Sequence, residues 1–424
     1  MQRYDTYKNS GVKWLGEIPS HWDAVRVKHL FIVSRGRVIA ADQMNDEGEY
    51  PVYSSQTENN GCMGYISTYD YEGDVLTWTT DGAKAGTVFR RRGKFNCTNV
   101  CGVLTPITNN HLGYLYYAIY LAAYYNKRVD ILGYKIMSNE MAELKFPLPP
   151  FKEQTAIANY LNTATAKIDA AIAQQQKMID LLNERKQIII NRAVTKGLNP
   201  NAKMKDSGVE WIGEVPEGWE MNKFKNLYKT RTGITFTKAE LVEFGERVIS
   251  YGQIHSKENW RASVNPDLIR YIPMSLTEGK SGALAEKGDF LFADTSEDFE
   301  GCGNNVYIDT EEPIYAGYHT ILAKCNNNQC GAYLAYLFAS TKWRGQIRSM
   351  VNGVKVYSIT QSIIKNASVI LPSVDEQKAI ADYIKNRVIV IDKAIKSHNQ
   401  KISLLQERKQ IIINEVVTGK VKVG

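Results

Sequence analysis

Cysteine is scarce in this chain. Six residues, at positions 62, 97, 101, 302, 325 and 330, are spread over 424. That is too few for a disulfide-built fold and fits a reducing compartment. Cys97 with Cys101, or His319 with Cys325 and Cys330, could be drawn as a metal site. The two halves of the chain share no matching set, however, and Cys97 and Cys101 fall in a strand-like run. Small buried residues are the expected reading, and no metal is assigned. Long apolar runs are missing as well. Nothing approaches the roughly 18 residues a membrane span needs, and residues 1–5 show no apolar signal-peptide region. A cytoplasmic location is expected.

Motifs for chemistry are also lacking. Asn199-Pro200-Asn201 and Asn265-Pro266-Asp267 lack the second proline and the aromatic of an adenine methyltransferase motif for a flipped base. Gly301-Cys302-Gly303 lacks the third glycine of a dinucleotide loop, and no glycine-rich loop ending in Lys-Ser/Thr is present to hold ATP. Asp267 followed by Glu278-Gly279-Lys280 fits a loose metal-nuclease pattern. Carboxylates that hold Mg2+ need adjoining strands, and this Ser/Gly-rich stretch reads as a loop. A self-contained Mg-dependent endonuclease therefore stands only as an alternative, as does a coiled-coil scaffold without DNA specificity.

What the chain has is a long internal repeat. Ser10-Gly11-Val12-Lys13-Trp14-Leu15-Gly16-Glu17-Ile18-Pro19 opens the first half, and Ser207-Gly208-Val209-Glu210-Trp211-Ile212-Gly213-Glu214-Val215-Pro216 opens the second. Residues 184–191, Glu184-Arg185-Lys186-Gln187-Ile188-Ile189-Ile190-Asn191, return unchanged at 407–414. The ends of the two halves agree while their middles diverge. A shared frame that carries two different specificities has that pattern.

Each middle reads as short strands, then a helix: residues 52–55, 74–79, 86–89 and the Tyr-rich 113–125 in the first, and 248–251, 289–292 and 333–338 in the second. Packing is the expected role of the Tyr stripe. A proline-bearing exit follows each middle, Phe146-Pro147-Leu148-Pro149-Pro150 and Leu371-Pro372, and long helices begin near Glu153-Gln154 and Glu376-Gln377. Ile157, Leu161, Ile168, Ile172, Ile179, Leu182 and Ile189 fall on one heptad frame. Ile380, Ile384, Val388, Ile391, Ile395, Ile402, Leu405 and Ile412 repeat it, with Gln175 and His398 at one shared seam position. A helix over residues 153–194 is about 60 Å long, and residues 195–205 reach at most about 40 Å. The second globular part is therefore expected at the far end of the first helix, with the two helices antiparallel.

The fold class predicted is α+β: two globular recognition domains separated by two long antiparallel helices, pseudo-two-fold, in a near-circular layout. The expected boundaries are 1–146 for the first domain, 147–197 for the first helix, 198–369 for the second domain and 370–424 for the second helix. Two unlike domains on one chain suit an asymmetric, bipartite DNA site.

The paired opening motif, the Pro-rich exit leading into Glu153-Gln154, and the Glu184-Arg185-Lys186-Gln187 tail closely resemble the specificity subunit of type I restriction–modification systems. The resemblance spans the whole chain. It implies a non-catalytic subunit whose two target recognition domains read the two parts of a split site on double-stranded DNA. It implies two methyltransferase subunits docked on the helices, with restriction and motor subunits joining them. S-adenosylmethionine, ATP and Mg would belong to those partners, and no cofactor to this chain. Residues 197–201 contain no short tandem repeat of the kind that sets spacer length in some relatives.

The net charge of +7 permits nucleic-acid binding without demanding it. Arg90, Arg91, Arg92 and Lys94 form the densest basic run and read as a phosphate-contacting loop. Ser55, Gln56, Thr57 and Asn59 lie in a polar loop after a strand, with side chains suited to adenine. Gln253 and His255 hold a similar place in the second half, joined by loop residues Thr295, Ser296 and His319. Lys84, Lys135 and Lys355 are candidate phosphate clamps.

Overall fold

The computed structural model describes residues 2–45, 47–131, 133–353 and 356–423. The chain forms two compact units, Met1–Gln176 with Asn399–Gly424, and Lys177–His398. Each unit therefore takes one half of each long helix. The helices run Phe151–Lys196 and Val374–Val417, a turn-fraction earlier than Glu153 and Glu376. The earlier start comes from the flanking carbonyls: Glu153 and Gln154 donate to the Pro150 carbonyl, and Gln377 donates to that of Ser373.

The repeated opening motif folds the same way in both units. Tyr7–Asn9 pairs antiparallel with Glu17–Pro19, and Met204–Asp206 with Glu214–Pro216. Asn9 and Asp206 accept from the amides of Gly11 and Gly208 at 2.8 and 3.0 Å. Those glycines sit at φ 66° and 71°, a left-handed turn that a side chain resists. Ser10 and Ser207 then accept from the Val12 and Val209 amides at 3.2 and 3.1 Å.

The motif delivers a tryptophan to the helix start. Trp22 donates to Glu153 and Trp219 to Glu376, each at 3.0 Å. Beside these carboxylates, Gln154 and Gln377 are almost fully buried. Gln154 bonds Pro149 O, Asn110 Oδ1 and the His111 amide, and Gln377 bonds Pro372 O, Gln329 Oε1 and the Cys330 amide. Each glutamine ties the proline exit to the N-terminus of the domain's own helix, Leu112–Asn126 or Gly331–Ala339. A buried amide with all its bonds made fixes one geometry.

Each unit closes on a helix C-terminus. In the first, Ile413, Val416 and Val417 share a core with Trp22, Ile157 and Leu161, and Lys422 N bonds Gln2 O at 2.9 Å. In the second, Ile190, Ala193 and Val194 share a core with Trp219, Ile380 and Ile384. Lys409 pairs with Asp169 at 2.7 Å and Lys186 with Asp392 at 2.8 Å. Within each unit the residue numbers of the two helix segments run in opposite directions, so the segments pair antiparallel. The heptad frame selects Ile189 and Ile412, whereas Ile190 and Ile413 are the buried residues. In the last turns the helix packs against the globular core as well as its helical partner, and the buried stripe shifts accordingly.

The divergent middles are sheets. The first is six-stranded, in the order Phe31–Arg35, Cys101–Pro106, Tyr71–Thr79, Val88–Cys97, Tyr50–Tyr53, Cys62–Ile66. Cys97 and Cys101 are buried in it, their sulfurs 3.5 Å apart. The second has two four-stranded sheets, one of Tyr228–Thr232, Thr320–Cys325, Phe290–Ala293 and Asn305–Tyr307, the other of Arg270–Ile272, Glu246–Ile249, Ile314–Ala316 and Leu284–Ala285. The Tyr helix packs as expected: Tyr114 and Tyr117 are buried, and Tyr114 donates to Pro147 O at 2.6 Å.

Candidate nucleic-acid interface

The basic run of the first domain is not a loop. Arg90, Arg91, Arg92 and Lys94 lie in the strand Val88–Cys97, with Gly93 opposite Gly73 inside the ladder. The glycine that suggested a turn is a ladder position. Alternation along a strand then separates the arginines. Arg90 and Arg92 share the face that carries Asp74, and both pair with it, Arg92 at 3.2 Å. Hydrogen bonding from Arg90, reinforced by Arg92, holds the Asp74 carboxyl below the usual carboxylate range.

Arg91 turns inward and is 2% exposed. Its guanidinium lies 3.6 Å from the Tyr53 ring centroid and 4.3 Å from that of Phe89, and Nε bonds Thr77 Oγ1 at 3.2 Å. Among the described residues, its two terminal nitrogens have no hydrogen-bond partner. Burial pushes its pKa down.

The polar loop approaches that arginine at Gly61, where an added Cβ would lie 2.9 Å from the guanidinium. Ser55 and Thr57 are half-buried, and Gln56 and Asn59 are exposed. Gln56 and Asn59 both bond the Cys62 carbonyl, Asn59 at 3.4 Å. Asn59 and Asn60 adopt φ 48° and 52°, the left-handed region that asparagine tolerates best among residues with a side chain. Lys94 lies over the Tyr69 ring at 4.4 Å. Lys84 is exposed in the turn after Asp81–Gly82, a strand that pairs with Gly133–Lys135, and Lys135 bonds Asp130 at 3.3 Å.

In the second domain the structure gathers separate candidates into one place. The short helix Tyr251–His255 carries Gln253, whose side chain accepts from the Ser250 amide at 3.0 Å. His255 shares a hydrogen bond with Thr295 O at 2.8 Å and another with Asn304 at 3.0 Å. Thr295 donates to Asp294 at 2.7 Å, and His319 meets the same carboxylate at 2.8 Å. Tyr251 packs edge-on against Tyr318 and His319. Ser296 is buried, bonding Asp298 O at 2.6 Å. Lys355 lies outside the described residues. Asp294 lies in the Asp294-Thr295-Ser296 loop that the sequence marks as a candidate, whereas Asp74, the acid that pairs with Arg90 and Arg92, carries no distinguishing signal in the sequence.

Among the described residues, no group of three or more His, Cys, Asp or Glu could hold a metal, and no helix is long and apolar enough to cross a membrane. Residues 277–279 form a turn, so Glu278 does not lie on a strand adjoining another carboxylate.

Comparison with known proteins points one way. The family model described as the type I restriction modification DNA specificity domain matches twice, over residues 19–179 and 216–407. The MjaVIII type I restriction enzyme specificity subunit of Methanocaldococcus jannaschii is 25% identical over 96% of this chain and 94% of its own length. A putative type I specificity subunit N-terminus from Mycoplasma pneumoniae is 43% identical over 32% of this chain and 75% of its own. A chain from a solved structure concerned with assembly and conformational transition of a type I restriction–modification system superposes with a TM-score of 0.62. It covers 95% of this chain and 99% of that one at 12% identity, a likeness of fold. With both halves matched over most of its length, the chain belongs to the type I restriction–modification DNA specificity family.

Proposed function

We propose that this chain is the subunit that selects DNA for a type I restriction–modification complex, reading an asymmetric, bipartite site with one domain for each part. As a member of that family it is non-catalytic, and methylation and cleavage reside in partner subunits. One observation carries the reading: the Trp–Glu and Gln–proline-exit contacts recur bond for bond around two middles of different sheet topology. A frame repeated that closely around unlike middles suits two different sequence readers presented in one manner.

In the first domain, loop residues Ser55, Gln56, Thr57 and Asn59 with Lys84, Arg90, Arg92 and Lys94 are the contacts we assign, and Arg91 supports the loop from beneath. In the second, Gln253, His255, Thr295 and His319 form the assigned cluster, with Lys135 and Lys355 as phosphate contacts of their respective domains. Two methyltransferase subunits and the restriction subunits are the proposed partners. They would supply the sites for S-adenosylmethionine, ATP and Mg. The test is co-expression with the methyltransferase subunit, followed by genome-wide mapping of methylated adenines. A motif in two defined parts with an unread gap is expected; a contiguous motif, or none, would overturn the reading.

A further inference from the structure

Arginines from two separate stretches of sequence come close enough in the second domain for their charges to act on one another. Arg344 and Arg348 lie one turn apart on the helix Thr341–Met350, and Arg261 sits in a loop at φ 61°. Arg344 is 6% exposed, and the side chain of Arg348 is 12% exposed. Both donate to the backbone carbonyl of Glu300, Arg348 at 2.7 Å, and Arg344 Nε also reaches Cys302 O at 3.4 Å. Among the described residues Arg348 pairs with Glu300 at 2.8 Å, and the Glu300 side chain is 79% exposed. Arg348 Nε is buried without a hydrogen-bond partner among the described residues. Burial, then Arg261 and Arg348 nearby, push Arg344 down to about 9.

Among the described residues, Arg348 has an ion-pair partner in the exposed Glu300, whereas Arg261 and Arg344 have none, so two of the guanidinium groups are held without a paired carboxylate. Such an arrangement is costly unless an anion completes it. Guanidinium forks match tetrahedral oxyanions bidentately. The Phe299 ring lies beside the cluster, 6.0 Å from the Arg348 guanidinium, and packs against Tyr357 at 5.5 Å. That aromatic rim suits a phosphate carried by a nucleic acid better than a free ion.

We propose that Arg261, Arg344 and Arg348 form a phosphate-binding site, and that the Glu300 carboxylate occupies the phosphate position until a DNA backbone phosphate displaces it. The DNA source rests on the function proposed above; the oxyanion site itself does not.

The test uses the full chain with its methyltransferase partner, in two arms. The first arm measures duplex affinity against salt for the wild type, Glu300→Gln and Arg348→Gln, with melting curves as a check on folding. Glu300→Gln removes only the exposed competitor and should bind about threefold to tenfold tighter. Arg348→Gln should bind more weakly, with a slope of log K against log salt shallower by about one phosphate contact, ~0.9. The second arm titrates inorganic phosphate and follows the melting temperature. A rise in wild type, a larger rise in Glu300→Gln and none in Arg348→Gln is expected. Duplex binding that is intact and indifferent to both variants, with no phosphate response, overturns the site and leaves the function proposal standing. A phosphate response that depends on Arg348, in a complex that binds no duplex, upholds the site and sinks the DNA reading.

Discussion

Replacing Gln377 with Ala tests whether the buried glutamine holds its unit together. The side chain is fully buried and makes three bonds, to Pro372 O at 2.9 Å, to Gln329 Oε1 at 2.5 Å and from the Cys330 amide at 2.9 Å. Alanine leaves the amide and the proline carbonyl without partners. Each such group costs about 1–3 kcal/mol, so about 3–5 kcal/mol is expected once the small void is included. A chain with two compact units does not unfold in one step, so a single melting midpoint is a poor readout. Hydrogen exchange resolved by segment is the better assay. Amides of the helix Gly331–Ala339 and the strand Ser368–Leu371 should lose protection about a hundredfold or more, since about 1.4 kcal/mol is tenfold. Gln154→Ala should do the same to the helix Leu112–Asn126. A loss below threefold in the Gln377 variant would refute the reasoning, because water would then be satisfying groups that the structure shows as buried.

Other perturbations probe other parts of the frame. Burial raises the Glu153 carboxyl, but bonds from Tyr4, His21 and Trp22 outweigh it, so its folded pKa is depressed. The stability it contributes is therefore complete above the ordinary glutamate value of about 4.3 and is lost as pH falls through the lower folded value. Acid melting of wild type against Glu153→Gln should show the steeper fall in wild type; parallel curves would refute this. Gly419→Ala should destabilise the first unit by about 1–3 kcal/mol in exchange measurements. Gly419 has φ 74° and an added Cβ would overlap Pro19 and lie 3.0 Å from Trp22. Gly197→Ala, with contacts of 3.1 Å to Trp219 and 3.2 Å to Glu376, should cost less. Arg91→Met should leave the first domain within about 1 kcal/mol of wild type or more stable, because replacing a buried unpaired charge by an apolar chain removes a desolvation penalty. A loss above about 3 kcal/mol in denaturant titration would show that its terminal nitrogens are paired.

The frame was legible because its signals are local. The Ser10-Gly11-Val12 and Ser207-Gly208-Val209 turns, the proline exits and the exact tail repeat each act over a few residues and occur twice. The strand Val88–Cys97 was legible only in part, because Gly93 looks like turn punctuation unless its ladder partner Gly73 is known. Asp74 could not be joined to Arg90 by pattern alone, since their pairing depends on strand register. The gathering of His255, Thr295 and His319 depends on how separate loops and a short helix fold together, and the approach of Arg261 to the helix that carries Arg344 and Arg348 depends on tertiary packing in the same way. No local rule connects residues so far apart, and the divergent middle offers no second copy to compare.

The central claim is that each domain reads its own part of a split site. Methylated adenines should be mapped genome-wide for the complex carrying Gln253→Ala with His319→Ala, beside wild type. The account predicts that bases in one part of the motif relax while the other part and the gap stay unchanged. Relaxation in both parts together, or no change in either with the complex folded and active, would contradict it.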